Sequence, residues 1–285
     1  MLNYQQILFP FAYNILGSSE DAKDTIQDVI AKYNTMDVQP ANEKNYLIRA
    51  VINEAINVKK KKARMQPIES WLPEPVATDQ SHKAVELKEM VSYSLLILLE
   101  RLNPKERAVF ILKEAFAYTH PEIAEVLNIT VEGARKLLSR AHQKVKNPNP
   151  SNKPVDFNKQ FELLDQFVNT IQLRDLKGLH KLLSEEIKFV ADGGNEVKVI
   201  QKLCVGINEV AGLLIYVYHR FQKESTIKAL IVNYQPALLY YKNNRLIACQ
   251  IFDLIQNGEI AIKNISTIVA PSKLKALQNR LEQGA

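Results

Sequence analysis

The chain has 285 residues and 46% hydrophobic content, enough for two domains that each bury a core. Its two cysteines, Cys204 and Cys249, suit a reducing cytoplasm and have no metal-site spacing. No apolar run approaches the roughly 20 residues of a membrane span, and the N-terminus lacks a secretory pattern. The net charge of +6 is spread as +2 over residues 1–150 and +4 over 151–285, so only local clusters can mark a nucleic-acid-binding half.

The first helix is expected over 3–16, with the stripe Leu8, Phe11, Ala12, Ile15 and Leu16, ended by Gly17. Ser18 then caps a second helix, with Asp21 three residues on. Ala22, Ile26, Val29, Ile30 and Tyr33 face inward, while Asp21, Asp24 and Asp28 share an exposed face. No histidine accompanies these carboxylates, so an acidic docking face for a basic partner outweighs acid–base or metal chemistry. Residues 34–43 read as a loop. A third helix, 44–64, is periodic through Tyr46, Leu47, Ala50, Val51, Ala55 and Val58. Its polar face carries Arg49, Asn53, Asn57, Lys59, Lys60, Lys61, Lys62 and Arg64. Seven basic and two acidic residues in 43–64 favour tracking along a nucleic-acid backbone.

Residues 65–85 change character. WLPEP at 71–75 (Trp71, Leu72, Pro73, Glu74, Pro75) marks a Pro-rich linker with the chain's only tryptophan. An exposed tryptophan would waste a large apolar surface, so the linker is expected to dock, near Asp192-Gly193-Gly194, where two glycines admit a close backbone. A helix is expected over 86–101, burying Leu87, Met90, Val91, Leu95, Leu98 and Leu99. Another starts at Asn103-Pro104 with Glu106 and runs to Ala117.

Residues 119–146 read as a helix-turn-helix. Thr119 and Glu122 form a capping box, Pro121 sits in the first turn, and Asn128 supplies the left-handed turn residue. Thr130 caps the second helix, whose inner face is Val131, Ala134, Leu137, Leu138 and Ala141. The other face holds Arg135, Lys136, Ser139, Arg140, Lys144 and Lys146. Five basic residues and no acidic one between Gly133 and Lys146 suit a major groove.

After a second linker, 147–155, the composition shifts. Helices are expected at 156–173 and 176–183, a strand at 187–192, an apolar helix at 207–221, then strands at 226–232, 237–242, 245–255 and 259–268. Asn243-Asn244 and Asn257-Gly258 read as hairpin turns. Helices followed by antiparallel strands make an α+β domain.

In this order the segments resemble a sigma factor of the extracytoplasmic-function group. LGSSEDAKDTIQDV resembles its region 2.2, NYLIRAVINEAINVKKKKAR its regions 2.3 and 2.4, and LNPKERAVFILKEAFAYTHPEIAEVLNITVEGARKLLSRAHQKV its region 4. WLPEP further resembles the linker motif of the subgroup with a fused SnoaL-like extension. DGGNE at 192–196 and APSKL at 270–274 stand where that subgroup has D-G-G-G-K and N-P-D-K-L. The resemblance implies a multidomain fold. Two all-α sigma domains (region 2 at 1–64, region 4 at 86–146) precede an α+β SnoaL-like cone at 156–285, which regulates in cis.

It also implies binding of RNA polymerase core (β′ coiled coil, β flap) through Asp21, Asp24, Gln27 and Asp28. Reading of a −10 element falls to Arg49, Asn53, Lys59, Lys60, Lys61, Lys62 and Arg64. Reading of a −35 element falls to Thr130, Glu132, Arg135, Lys136, Ser139, Arg140 and Lys144. No cofactor or catalytic residue is implied. Some relatives of the cone fold are enzymes with an Asp/His pair, for which Asp192, His180 and His219 would be candidates. A small ligand in the cone stays open, as do two rivals: an ordinary helix-turn-helix regulator, and a SnoaL-like binding or hydrolytic domain with a DNA-binding appendage.

Overall fold

The structure is a computed structural model that describes residues 4–37, 40–65, 72–78, 90–145, 156–199 and 203–282. Two compact units emerge. One comprises Met1–Glu69 and Gln80–Asn147, the other Ser70–Asp79 and Pro148–Ala285.

The first unit is all helix: α1 (Tyr4–Leu16), α2 (Ser19–Asn34), α3 (Glu43–Met65), α4 (Tyr93–Leu99), α5 (Pro104–Glu114), α6 (His120–Leu127) and α7 (Val131–Val145). Local chemistry sets most of the ends. Ser18 Oγ accepts from Asp21 N at 3.2 Å, and Asn103 with Glu106 forms a capping box around Pro104. The bundle core includes Leu8, Ile15, Ile26, Leu47, Ile52, Leu96 and Val109, and the rings of Phe11 and Phe116 stack at 3.7 Å between centroids. The buried stripe of α3 is Leu47, Ile48, Val51, Ile52, Ala55 and Ile56; Tyr46, Ala50 and Val58, expected inside, are half-buried.

The helix expected from residue 86 starts at Tyr93. Ser92 Oγ caps it by accepting from Leu95 N at 3.4 Å, while Met90 and Val91 are buried in non-helical backbone. Val91 N donates to Asn14 Oδ1, which satisfies that amide outside any helix. Leu87 lies outside the described residues.

The second unit contains α8 (Phe157–Gln172), α9 (Leu176–Leu182), β1 (Leu183–Asp192), β2 (Cys204–Val205), α10 (Ile207–Val217), β3 (Thr226–Val232), β4 (Gln235–Lys242), β5 (Arg245–Asn257), β6 (Glu259–Ile268) and α11 (Pro271–Glu282). The sheet order is β2-β1-β6-β5-β4-β3, antiparallel except for the parallel β1–β6 pair. Phe189, Ile265 and Phe252 stand side by side across β1, β6 and β5, and α8 and α10 close over this face with Leu164, Phe167, Val210 and Leu214. Cys249 and Ile251 alternate with Phe252 to the opposite face, where α11 packs, its Gln278 accepting from Leu246 N at 3.0 Å.

Three features depart from the expected elements. The apolar helix at 207–221 leaves α-geometry after Val217 and continues as a π-helical turn, Tyr218–Gln222. The short β2 and the terminal α11 were not expected. A second left-handed pair, Asn233 (φ 47°) and Tyr234 (φ 59°), joins β3 to β4 as Asn243-Asn244 joins β4 to β5.

Candidate nucleic-acid interface and linker clasp

The helix-turn-helix is built by its caps. Thr119 and Glu122 exchange a capping box, with Thr119 N donating to Glu122 at 2.7 Å. Asn128 takes the left-handed conformation at φ 49°, and Gly133 N donates to Thr130 Oγ1 at 3.0 Å to begin α7. Ala134, Leu138, Ala141 and Val145 are buried. Arg135, Lys136, Ser139 and Arg140 are exposed beside Glu132, which pairs with Lys136 at 2.6 Å. Such an i, i+4 pair in water is weak and opens readily. Lys144 differs. Its ammonium lies 2.7 Å from Glu106, a buried carboxylate on α5, so its first role is to close the three-helix packing rather than to meet phosphate. Lys146 lies outside the described residues.

On α2, Asp24, Gln27 and Asp28 are exposed along one face. Asp21 is half-buried and pairs with Lys62 at 2.5 Å, which sets both apart from the free surfaces expected of them. On α3, Arg49 is exposed, and Asn57, Lys60, Lys61 and Arg64 line one open groove.

Two residues expected to reach DNA are held inside the unit instead. Asn53 Nδ2 donates to Arg49 O at 2.9 Å and to Val126 O of α6 at 3.1 Å. Lys59 is largely buried. Its ammonium donates to Leu16 O at 3.0 Å and to both oxygens of Glu100, at 3.0 and 2.8 Å. Burial first, then the Arg107 guanidinium, pulls the Lys59 amine down to about 7 against the support of Glu100 and Asp21. Burial alone would raise the Glu100 carboxyl; the charges of Arg107 and Lys59 outweigh it and hold it below its usual range. Arg107, fully buried, bonds Glu100 and donates from Nε to Asn14 O at 2.8 Å. The cluster is a structural joint between α1, α3, α4 and α5. Its partners lie far away in sequence, which is why a polar helix face looked like a DNA contact.

In the second unit, residues 72–78 form part of the domain. Leu72, Pro73, Pro75, Val76 and Thr78 are buried, and Glu74 is half-buried. Val76 N donates to Asn233 Oδ1 and Asn233 N to Val76 O, both at 2.9 Å; Thr78 N donates to Ile231 O at 3.0 Å; Ala77 bridges Val232. The segment is thereby pinned to the end of β3 through one antiparallel bridge. At its start, Asp192 Oδ2 accepts from Leu72 N at 2.8 Å and from Lys273 Nζ at 2.7 Å, and Lys273 also bonds the Leu72 carbonyl. Asp192 Oδ1 accepts from Gly194 N at 2.7 Å. A side chain at Gly193 would stand 1.9 Å from the Val197 carbonyl oxygen, so the backbone that comes close to this glycine is that of its own loop and not the linker. Trp71 lies outside the described residues. Lys273 was visible in sequence only as a surviving motif position.

The candidate Asp/His pair does not form. The oxygens of Asp192 serve Leu72, Lys273 and Gly194, while the His219 Nε2 lies 3.1 Å from Ile171 O. His180 sits in α9 and is not among the partners of Asp192. Inside the second unit, Phe167 meets Phe252 edge-on at 4.9 Å, and Tyr240 donates to Gln250 Oε1 at 2.7 Å, its phenol pushed up by burial. Among the described residues, no group of His, Cys, Asp and Glu could hold a metal ion, and no helix is long and apolar enough to cross a membrane.

Residues 94–145 match the family model "Sigma-70, region 4". The ECF RNA polymerase sigma factor SigJ of Mycobacterium tuberculosis is 25% identical over 231 residues, covering 76% of this chain and 72% of that protein. The probable ECF RNA polymerase sigma factor SigI of the same species is 26% identical over 288 residues, covering 99% of this chain and 96% of that one. The crystal structure of the Mycobacterium tuberculosis extracytoplasmic function sigma factor SigJ shares the fold, with a TM-score of 0.74 at 21% identity over 95% of this chain and 96% of that chain.

Proposed function

We propose, for a chain that is a homologue of the extracytoplasmic-function RNA polymerase sigma factors, that it binds RNA polymerase core and directs it to promoters. The observation that carries this reading is α7: a capped second helix of a helix-turn-helix, inside the matched region 4, with Arg135, Lys136, Ser139 and Arg140 exposed on one side. These residues and Thr130 would enter the −35 major groove. The exposed Asp24, Gln27 and Asp28 would meet the β′ coiled coil, and region 4 the β flap. Arg49, Lys60, Lys61 and Arg64 would follow the backbone near the −10 element.

The second unit would act in cis through the clasp of Asp192, Lys273 and Leu72, which fixes one end of the segment joining the two promoter-reading regions. Transcription in vitro with purified core polymerase tests the reading. Specific initiation should require this chain and should change when residues 156–285 are removed. Binding of a duplex site as a dimer, with no affinity for core, would establish the ordinary regulator in its place.

A further inference from the structure

The π-helical turn Tyr218–Gln222 builds a surface that folding does not use. In an α-helix, residues five apart point about 140° away from each other, whereas i→i+5 bonding brings them onto one side. Accordingly the rings of Tyr216 and Phe221 meet edge-on at 6.4 Å, and both remain 59% exposed. The Arg220 guanidinium lies 5.4 Å from the centre of the Phe221 ring. Tyr218 and Gln222, at the two ends of the turn, are buried.

The end of α8 lies alongside. The Ile171 carbonyl oxygen is 3.1 Å from the His219 ring and also accepts from Arg174 N at 3.2 Å. The next residues add Leu173, 79% exposed, and Leu176, 48% exposed. Four large apolar side chains thus stay exposed on two segments that meet at the His219–Ile171 contact.

Its charge is one-sided. Segments 173–177 and 220–223 hold Arg174, Lys177, Arg220 and Lys223, all exposed, against Asp175 alone. Asp175 is spent on the α9 cap, accepting from Gly178 N at 2.9 Å, and the nearby Glu224 is paired with Lys242 at 2.8 Å.

We propose that this face docks an acidic amphipathic peptide segment of a partner protein. Apolar side chains of the partner would cover Tyr216, Phe221, Leu173 and Leu176, and its carboxylates would meet Arg174, Lys177, Arg220 and Lys223. Aromatic anchors ringed by arginine are the residue types that dominate protein interfaces. Single-stranded nucleic acid fits less well. It needs open ring faces for successive bases. Here Phe221 has a guanidinium over its ring and meets Tyr216 edge to face, and the aliphatic side chains beside them offer no stacking surface. The proposal stands independently of promoter recognition.

The test titrates the full chain into a fluorescein-labelled designed helix of about five turns, with leucines on one side and glutamates on the other. The same helix with lysines for glutamates, and a labelled oligothymidylate, run in parallel. The variants are Tyr216→Ser with Phe221→Ser, and Arg174→Glu with Arg220→Glu. Anisotropy should show saturable binding of the glutamate helix only, weakened at least about tenfold by each double variant. Equal binding of the lysine helix, or no effect of either variant, would overturn the proposal. Loss of oligothymidylate binding in the variants with the peptide unaffected would assign the face to nucleic acid. The charge-reversal pair replaces exposed polar side chains only, so it keeps the test valid if the serine pair folds poorly.

Discussion

Lys273 of α11 reaches Asp192 at the end of β1, 2.7 Å from nitrogen to oxygen, with the two side chains only 8% and 4% exposed. Both are satisfied further by the backbone of Leu72, whose N–H binds Asp192 and whose carbonyl binds Lys273. A buried ion pair does not by itself stabilise a fold, since desolvation offsets much of the attraction. What it adds here is selectivity. Only a chain with an N–H and a carbonyl at that spot completes the two charges, and the chain that does so is the interdomain segment.

Lys273→Met should therefore destabilise the second unit by about 3 kcal/mol, because Asp192 is left charged and buried. Adding Asp192→Asn should recover part of the loss. Denaturant unfolding of the full chain measures both. Amide exchange at Leu72 and Val76 should quicken in the single variant before global unfolding does. Unchanged exchange at Leu72 would show that the segment is held by its contacts with Ile231, Val232 and Asn233 without the ion pair.

Gly193→Ala tests the same joint through the backbone. The new Cβ would collide with the Val197 carbonyl, which is main chain and cannot swing aside. The loop at the head of the clasp must shift, and transcription in vitro should change in amount while the promoter sequence selected stays the same. Equal output from the variant and the parent chain would separate the clasp from regulation.

The Lys59 cluster predicts a pH dependence. Its amine is lowered from 10.5 to about 7 in the folded unit, so the unfolded chain binds more proton between those values. Stability from this group rises as pH increases from about 7 towards 10.5, by on the order of 1 kcal/mol per pH unit at most, and is flat below 7. Lys59→Met should remove the slope. Unfolding midpoints at neutral and alkaline pH, compared between parent and variant, isolate the contribution from every other titrating group. Parallel pH profiles would mean that the ammonium is solvated.

Legibility in the sequence followed the range of the interactions. Thr119, Glu122, Asn128 and Asn243-Asn244 act on residues within a turn, so local pattern located the caps, the helix-turn-helix and the hairpins. The π-helical turn has no distinct pattern, and Phe221 looked like one more apolar helical residue. The expected DNA contacts that the structure pairs within the unit share one feature. Lys59 meets Glu100 across 41 residues, Asn53 meets Val126 across 73, and Lys144 meets Glu106 across 38. A cation on an amphipathic helix looks the same whether it serves phosphate or a distant carboxylate.

Core binding tests the acidic face of α2. Asp24→Lys with Asp28→Lys reverses two exposed charges without touching the buried stripe of Ala22, Ile26 and Val29. The variant should keep its unfolding midpoint and lose affinity for core polymerase, with a marked fall in association rate at low salt. Asp21→Lys is the contrasting case. It breaks the Lys62 pair, so its first effect should fall on the joint between α2 and α3 rather than on the partner.

Promoter reading separates Arg135 from Lys144. Arg135 is exposed on α7 and takes no part in the Glu132–Lys136 pair. If it forks onto a guanine, Arg135→Ala should cost roughly 1–3 kcal/mol on the −35 element and much less on unrelated duplex. Lys144→Met should behave in the reverse manner. It strands Glu106, whose side chain is 3% exposed, so the three-helix unit should lose about 1–3 kcal/mol of stability. Its discrimination between promoter and unrelated DNA should remain that of the parent. Binding titrations of both variants on both duplexes give four affinities, and their unfolding curves two midpoints. A specific loss in Lys144→Met with unchanged stability would return that residue to the DNA-reading face, and an equal loss on both duplexes in Arg135→Ala would reduce Arg135 to a phosphate contact.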